Sequence, residues 1–544
     1  MSYVANTSQQ VNLNDKFLSY SERDKKIIQE SWAKSFAEDI FPLIREDRFA
    51  VLYSNNRASR PNTPVNIIVG AMIIKELQGL TDDEVVTGLV CDIRMQYALH
   101  TTSFEQQPLS DRTFSRFRQR LYEYEQESGK DLVKEEILSL AGGISKLMGL
   151  QPHLKRMDSL MIASACKDMT RLEVVYVTVS NLVNAVHKVG CDELLQGMEH
   201  YLNSDDKNRV IYHNRAEDRA SKIQAIIEDG AKLMESLGDA GAELPEYLLV
   251  KRLLEDQSIV DAEGKYVAKD NRAISPTSLQ NPSDPDATYR KKAGKGNIGY
   301  TANVVQTFNN EGAAAITDYS FQQNTHSDSE FCVEAIGNIA ESGEAKPDEQ
   351  VTLISDGAFA SAGNSQLAKD NNVVLVTTAL TGTKPPEIFG DFNIDIENHQ
   401  VLQCPAGNTP ISQGRNQATD TYRIVMEKSQ CANCPHREEC KAKLQKKSAV
   451  VNVSSKKVER ARAASGMSTD EYDVYRNARN AIEGIPSVLR RRYDVDDMPV
   501  FGILKSKLLF GFKIGAINFK KFVKYTRDKS AHLAEQFVPR AQSV

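Results

Sequence analysis

The chain has 544 residues, too many for one compact core, so roughly two to four domains are expected. Its apolar share of 41% and charged share of 26% are those of a globular protein in water, and its longest apolar runs fall short of the roughly 20 residues that a bilayer demands, which excludes a membrane-spanning helix. A net charge of −6 excludes a uniformly basic nucleic-acid binder but leaves room for local patches, and Leu489 to Arg527 holds ten Lys or Arg against three Asp.

The N-terminal stretch MSYVANTSQQVNLNDKF is polar and has no apolar signal core. It reads as a disordered leader over 1–20, not as a secretion signal. Residues 21–135 read as a helical DNA-binding domain. Apolar residues recur at helical spacing in VNIIVGAMIIKELQGL, and Thr81-Asp82-Asp83-Glu84 opens another helix. Pro108-Leu109-Ser110-Asp111 then makes a turn and a cap. The following helix puts Phe114, Phe117 and Leu121 on one side and Arg112, Arg116 and Arg120 on the other. An arginine stripe opposite an apolar stripe suits a helix lying on DNA, and equally a solvated face.

Gly142 and Gly143 suggest a break, followed by HLKRMDSLMIAS as a short strand within a first core segment, 150–168. Residues 169–285 read as a helical insertion, broken by Gly230 and Gly238, that ends in a loop rich in Pro, Gly, Asp and Lys from Ser275 to Gly299. A mixed α/β core follows over 286–384: GYTANVVQTF and AAAITDYSFQ as a hairpin around Asn309, Asn310 and Gly312, a helix from Asp328 to about Ser342, then VTLIS and VVLVTTAL as buried strands. The remainder divides into a cysteine-rich insertion (385–450), a C-terminal helix with a basic segment (451–528) and a tail (529–544).

Three acids stand out by position. Asp158 ends LKRMDS, Asp356 directly follows VTLIS, and Glu483 lies in YRNARNAIEGIPSVLRRR, read as one helix bent near Pro486. Phosphodiester cleavage by hard metal ions needs oxygen ligands able to hold two Mg²⁺ about 4 Å apart, and two strand-end aspartates with a helical glutamate supply them. Each acid also has a plain reading: Asp-Gly after a strand is a turn, Asp158 can cap a helix, and Glu483 can pair with Arg479 one turn earlier.

Of the eight cysteines, Cys91, Cys166, Cys191 and Cys332 are scattered and read as buried thiols. Cys431-x₂-Cys434-x₅-Cys440 can hold one structural Zn²⁺, with Cys404 in LQCPAG or His436 as fourth ligand. An iron–sulfur cluster uses the same ligands, and spacing does not separate the two. Clustered cysteines without an export signal point to the cytoplasm. Lys291 and Lys292, in the basic stretch before the hairpin, could approach phosphates or be solvated. His326 and Asp328, in QQNTHSDSEF, read as part of a helix cap or, for His326, as a neighbour of the scissile phosphate.

Taken together, FAVLYSNNRASRPNTP, LTDDEVVTGLVCDIRMQYAL with LSDRTFSRFRQRL, KRMDSLMI, DPDATYRKKAGKGNIGYTANVV, LISDGAFAS, and CPAG with CANCPHREEC resemble bacterial insertion-sequence DDE transposases. The resemblance implies an α/β RNase H-like catalytic core (a mixed sheet flanked by helices) with an all-α N-terminal domain, a helical insertion and a small cysteine-rich insertion. It implies catalytic Asp158, Asp356 and Glu483 holding Mg²⁺ or Mn²⁺, while the spacing of Cys404, Cys431, Cys434 and Cys440 gives the one structural Zn²⁺ expected. The family's helix signature of tyrosine, arginine, glutamate and a basic residue is matched by Arg479-x₃-Glu483-x₆-Arg490, but Tyr475 stands one position too far upstream and Arg476 fills its place. Arg479 and Arg490 would then grip DNA beside the cut, unless they only pair with neighbouring acids.

The implied activity is binding of terminal inverted repeats, hydrolysis at the element ends and joining of the 3′-OH to target DNA, by a homo-oligomer in a synaptic complex and without a membrane. Two other readings stand beside it: a decayed or domesticated DNA-binding protein, and an RNase H-like nuclease outside transposition.

Overall fold

The structure, a computed structural model, describes residues 1–6, 15–56, 58–213, 215–292, 294–378, 385–395, 398–417, 419–467 and 470–537. Its contacts divide it into two units. One comprises Met1–Gln151, Ser159–Ser327 and Ile485–Val544, the other Pro152–Asp158 and Asp328–Gly484. Residues 7–14 of the expected leader and the end of the expected tail (538–544) lie outside the described residues. Among those described, no helix is long and apolar enough to cross a membrane.

The start of the chain departs from the expected disordered leader. Ser2 is buried and donates its N–H to the Arg60 carbonyl at 3.0 Å, and Ser54 donates to the Met1 carbonyl at 2.9 Å. Backbone pairing, which no side-chain pattern announces, ties these residues down. In the same unit Val65–Gln78 (α1) is buried from Val65 to Ile74, as a helix without a polar face must be. Thr81 and Glu84 cap Asp82–Cys91 (α2) reciprocally, Glu84 N–H to Thr81 Oγ1 at 3.2 Å and Thr81 N–H to Glu84 Oε2 at 2.7 Å. Asp111–Ser128 (α3) buries Phe114, Phe117 and Leu121. Gly142 and Gly143 do not break the chain; they lie inside Leu132–Leu147 (α4). A Cβ at Gly143 would stand 2.7 Å from Leu43 Cδ1, so the glycine serves close packing.

Gln151–Ala163 (β1) is longer than expected and carries Asp158 in its interior rather than at its end. Leu154, Lys155 and Arg156 pair in parallel with Thr352, Leu353 and Ile354 in the second unit. Beyond Asp158 the strand belongs to the first unit, where Thr301 Oγ1 donates to the Leu160 carbonyl at 3.2 Å. Arg171–Val189 (α5), Arg219–Leu237 (α6) and Pro245–Gln257 (α7) enclose a core of their own that includes Val179, Leu182, Ile227, Leu233 and Val250. Gly230 lies within α6, where a Cβ would come 3.1 Å from Val179 Cγ2. Only Gly238 ends the helix.

Thr288–Lys292 (β2), Lys295–Phe308 (β3) and Ala314–Gln323 (β4) form consecutive antiparallel pairs. The β3–β4 hairpin was expected; β2 falls where a loop was. Gly294, at φ +83°, closes this extra hairpin, and the lysine-rich stretch pairs through its backbone regardless of its polar side chains.

In the second unit Asp328–Glu341 (α8) precedes Val351–Ser355 (β5) and Val373–Thr377 (β6), which are parallel to each other. Ser412–Asn416 (β7), Thr421–Glu427 (β8) and Ser448–Ser454 (β9) are antiparallel and cover a second core around Phe389, Phe392, Tyr422, Ile424 and Val453. Asp470–Asn480 (α9) and then Gly484–Tyr493 (α10), which from Ile485 onward belongs to the first unit, replace the single helix expected around Glu483. Ala481–Glu483 form a turn between them. Pro486 has no N–H to give, and in a continuous helix its ring would meet the Ile482 carbonyl, so the chain restarts at Gly484 with the proline in the first turn.

Back in the first unit, Ile503–Phe537 (α11) buries Phe510, Phe512, Ile514, Phe519 and Phe522. Asp284 Oδ1 and Asp286 Oδ2 accept the N–H groups of Gly502 and Ile503 at 3.0 and 2.9 Å, so both anions face the positive end of this helix. Asp284 also accepts from the Tyr300 hydroxyl at 2.5 Å and the Ser164 hydroxyl at 2.6 Å. The basic interval read as a charged patch is partly neutralised inside: Lys513 pairs with Glu76 at 2.7 Å, and Lys507 with Glu125 and Asp131.

Candidate functional site

The second unit brings Asp158, Asp356 and Glu483 to one place. Asp158 projects from the interior of β1. Two residues earlier Arg156, buried and pushed down to about 10 by that burial, donates Nη1 to the Ala478 carbonyl at 2.8 Å. The last carbonyls of a helix have no partner inside it, so this bond anchors the end of α9 to β1. Asp356 follows β5 and accepts the Ala358 N–H at 2.8 Å, which folds the next residues back in an Asx turn. Asn364 steadies that turn by donating to the Phe359 carbonyl at 2.7 Å.

All three carboxylates meet at Arg479. Its Nη2 lies 3.4 Å from Asp158 Oδ1 and 3.9 Å from Asp356 Oδ2, and its Nη1 lies 2.5 Å from Glu483 Oε1. The residue is 8% exposed, and its Nε is buried without a hydrogen-bond partner. Arg479 was expected on a strand of DNA; here it is enclosed by acids, because Glu483 stands one turn beyond it and β1 and β5 deliver the two aspartates from the other side. Glu483 itself is not helical as expected but lies in the turn after α9, its side chain 60% exposed. Tyr475 packs its ring on Tyr472, centroids 6.1 Å apart.

The remaining expected DNA contacts lie in the first unit. Arg112 and Arg116 are exposed on α3, while Arg120 lies over the Tyr53 ring at 4.8 Å. Arg490 is held by Asp496 at 3.1 Å and by the Met161 carbonyl at 2.6 Å. Lys291 and Lys292 are exposed on β2. His326 sits in the turn after β4 with its carbonyl accepting from Arg290 at 3.0 Å, and Asp328 opens α8.

Cys404, Cys431, Cys434 and Cys440 line one small cavity in the second unit together with His436. Burial, and then the neighbouring cysteines, push the Cys431 and Cys440 thiols up, Cys440 to about 11. Among the described residues no three His, Cys, Asp or Glu side chains are already closed into a metal-binding arrangement, at this cavity or around Arg479. The donor chemistry still fits: soft sulfurs share one cavity, and three hard carboxylates converge on one cation. Arg156 and the central position of Arg479 were not foreseen from sequence. A charged residue inside an apolar strand was the one available signal for Arg156.

A family model described as "Transposase DDE domain" matches residues 403–523, and one described as "Transposase domain (DUF772)" matches residues 24–120. The first match takes in the cysteine cluster, Arg479, Glu483 and Arg490, and the second takes in α1, α2 and the arginines of α3. No curated protein and no solved structure matches. The two matched segments, one toward each end of the chain and both similar to transposase domains, support reading the chain as an insertion-sequence DDE transposase.

Proposed function

We propose that the chain is the transposase of an insertion sequence, acting in the cytoplasm on the element's own ends. Asp158, Asp356 and Glu483 would hold Mg²⁺ or Mn²⁺. Their sheet would be the core of an RNase H-like domain. Bound there, a pair of such ions supplies Lewis-acid stabilisation of the charge that develops on the phosphate and its attacking and leaving oxygens. The chain's own part is to bind the terminal repeats, hold the scissile phosphate against the three acids, and present the freed 3′-OH to target DNA. A homo-oligomer would bring two ends together.

Arg112, Arg116, Arg120, Arg490, Lys291 and Lys292 would contact phosphates, and Arg479 would join them once it leaves the acids. Cys404, Cys431, Cys434 and Cys440 would hold a structural Zn²⁺.

One observation carries this reading: three acids, 325 positions apart at their extremes by their numbers, gather around a single buried cation. Such a cluster needs positive charge, since three carboxylates without one would repel. Cleavage of an end-containing duplex with Mg²⁺ or Mn²⁺ tests it. Glu483→Gln and Asp158→Asn should abolish cleavage and leave metal-free DNA binding intact or slightly tighter. Normal cleavage by either variant would overturn the assignment.

A further inference from the structure

A second cationic site lies in the first unit, away from any acid used above. Trp32, Phe519, Leu77 and Val523 form the apolar lining of an open groove, and Arg94, Arg492 and Lys520 stand around it. Among the described residues no acidic side chain lines it. Arg94 is already held by Asp92 at 2.7 Å, but neither Arg492 nor Lys520 forms an ion pair among the described residues. Burial, and then the charge of Arg492, push the Lys520 ammonium down, as expected of two cations facing one another without an anion. Trp32 is half-buried, braced edge-on by Phe36 and Phe519 with centroids 6.4 and 6.5 Å away. A fixed aromatic ring beside two uncompensated cations suits a ligand that is both flat and anionic. The groove has a volume of about 370 Å³, toward the small end of the range of pockets that take small molecules and enough for a single nucleotide.

We propose that this groove binds an unpaired nucleotide of DNA, its base against Trp32 and its phosphate between Arg492 and Lys520. Stacking on an aromatic platform requires a base that has left the duplex, whereas phosphates alone would need only the cations. The proposal rests on the reading of the chain as a DNA-cutting enzyme only for the source of unpaired nucleotides, which strand cleavage exposes.

Trp32 is the chain's single tryptophan, so its fluorescence reports on this groove alone. The full chain in EDTA is titrated with a single-stranded oligodeoxynucleotide, with the blunt duplex of the same sequence, and with inorganic phosphate. Single strands should quench Trp32 saturably, the duplex should do so at least tenfold more weakly, and phosphate not at all. Arg492→Gln with Lys520→Gln should weaken single-strand binding about tenfold and flatten its salt dependence by roughly one to one and a half units, because each phosphate contact on a single strand contributes about 0.7. Trp32→Leu, read by anisotropy of a labelled oligonucleotide, should weaken binding at least fivefold with an unchanged far-ultraviolet dichroism spectrum. Equal quenching by duplex, saturable quenching by phosphate, or wild-type binding by the well-folded variants would each overturn the proposal. Because no metal is present, the groove can pass this test even where the Asp158 and Glu483 variants cut normally, and fail it where they do not.

Discussion

Replacing Arg479 by Met tests whether the three acids form a site that demands a cation. Methionine roughly fills the volume and removes the charge. Asp158 is the costly partner, with a side chain only 14% exposed against an arginine side chain 10% exposed. Leaving one buried carboxylate uncompensated costs about 3 kcal/mol. The pairs to Asp356 and Glu483, whose side chains are 39% and 60% exposed, add at most about 1 kcal/mol each because water screens them. Asp158 has further partners, so the total should lie near the lower end, about 3 kcal/mol. In a unit of this size that lowers the melting temperature by about 6 to 12 °C in EDTA. Magnesium should then act more strongly on the variant than on the parent. In the parent a metal ion competes with a guanidinium already in place, and in the variant that competitor is gone. Differential scanning calorimetry across a magnesium titration measures both effects. Equal melting in EDTA, or equal shifts on adding magnesium, would refute the reasoning.

Three further outcomes are expected. Purified protein should carry about one Zn²⁺ per chain, and Cys431→Ser with Cys434→Ser should lose it and destabilise the β7–β8–β9 region; metal analysis that finds none in freshly purified protein removes zinc and leaves the acids untouched. Removing Arg112, Arg116 and Arg120 together should weaken binding to terminal repeats and flatten its salt dependence, and since Arg120 also lies over Tyr53, a parallel melt separates lost binding from lost packing. Burial raises the Asp82 carboxyl, but Arg118 and Lys75 outweigh it and hold the group below its ordinary 3.8. Its stabilisation is therefore present above that value and lost as pH falls through the lower, folded one, so Asp82→Asn should cost about 1–2 kcal/mol in urea unfolding at pH 7 and progressively less below about pH 3.8.

Local patterns were legible where one element decides its own form. The Thr81–Glu84 box, the Phe114–Phe117–Leu121 stripe and the β3–β4 hairpin are written in spacings of two, three and four residues. Glycines misled where their role is spatial. Gly143 and Gly230 read as breaks but permit close approach of Leu43 and Val179, which come from elsewhere in the chain. Pro486 was read as a bend, yet the helix stops at Asn480 and resumes at Gly484, which moves Glu483 into a turn. The acids themselves could be picked out, because a carboxylate beside an apolar strand is conspicuous. Their relation to Arg479 could not, since it joins residues more than 300 positions apart. The same holds for the Trp32 groove, whose lining comes from residues 32–94 and 492–523.

The DPD motif shows how one short segment can matter for reasons that are not catalytic. Asp284 and Asp286 stand in a stretch that resembles the transposase pattern, next to lysines that invite a DNA reading. Yet Asp284 is 1% exposed and its two oxygens accept three donors, from Ser164, Tyr300 and Gly502. A buried carboxylate so satisfied is held by its hydrogen bonds and has little capacity left for a metal ion. Its neighbour Asp286 takes the next N–H of the same helix start. The motif therefore ties the start of α11 through Asp284 to Ser164 and to Tyr300 of β3, and α11 in turn carries Phe519 and Lys520 to the groove. Spacing alone would count these aspartates with Asp158 and Asp356. The three donors committed to Asp284 mark it as an acid that builds the scaffold.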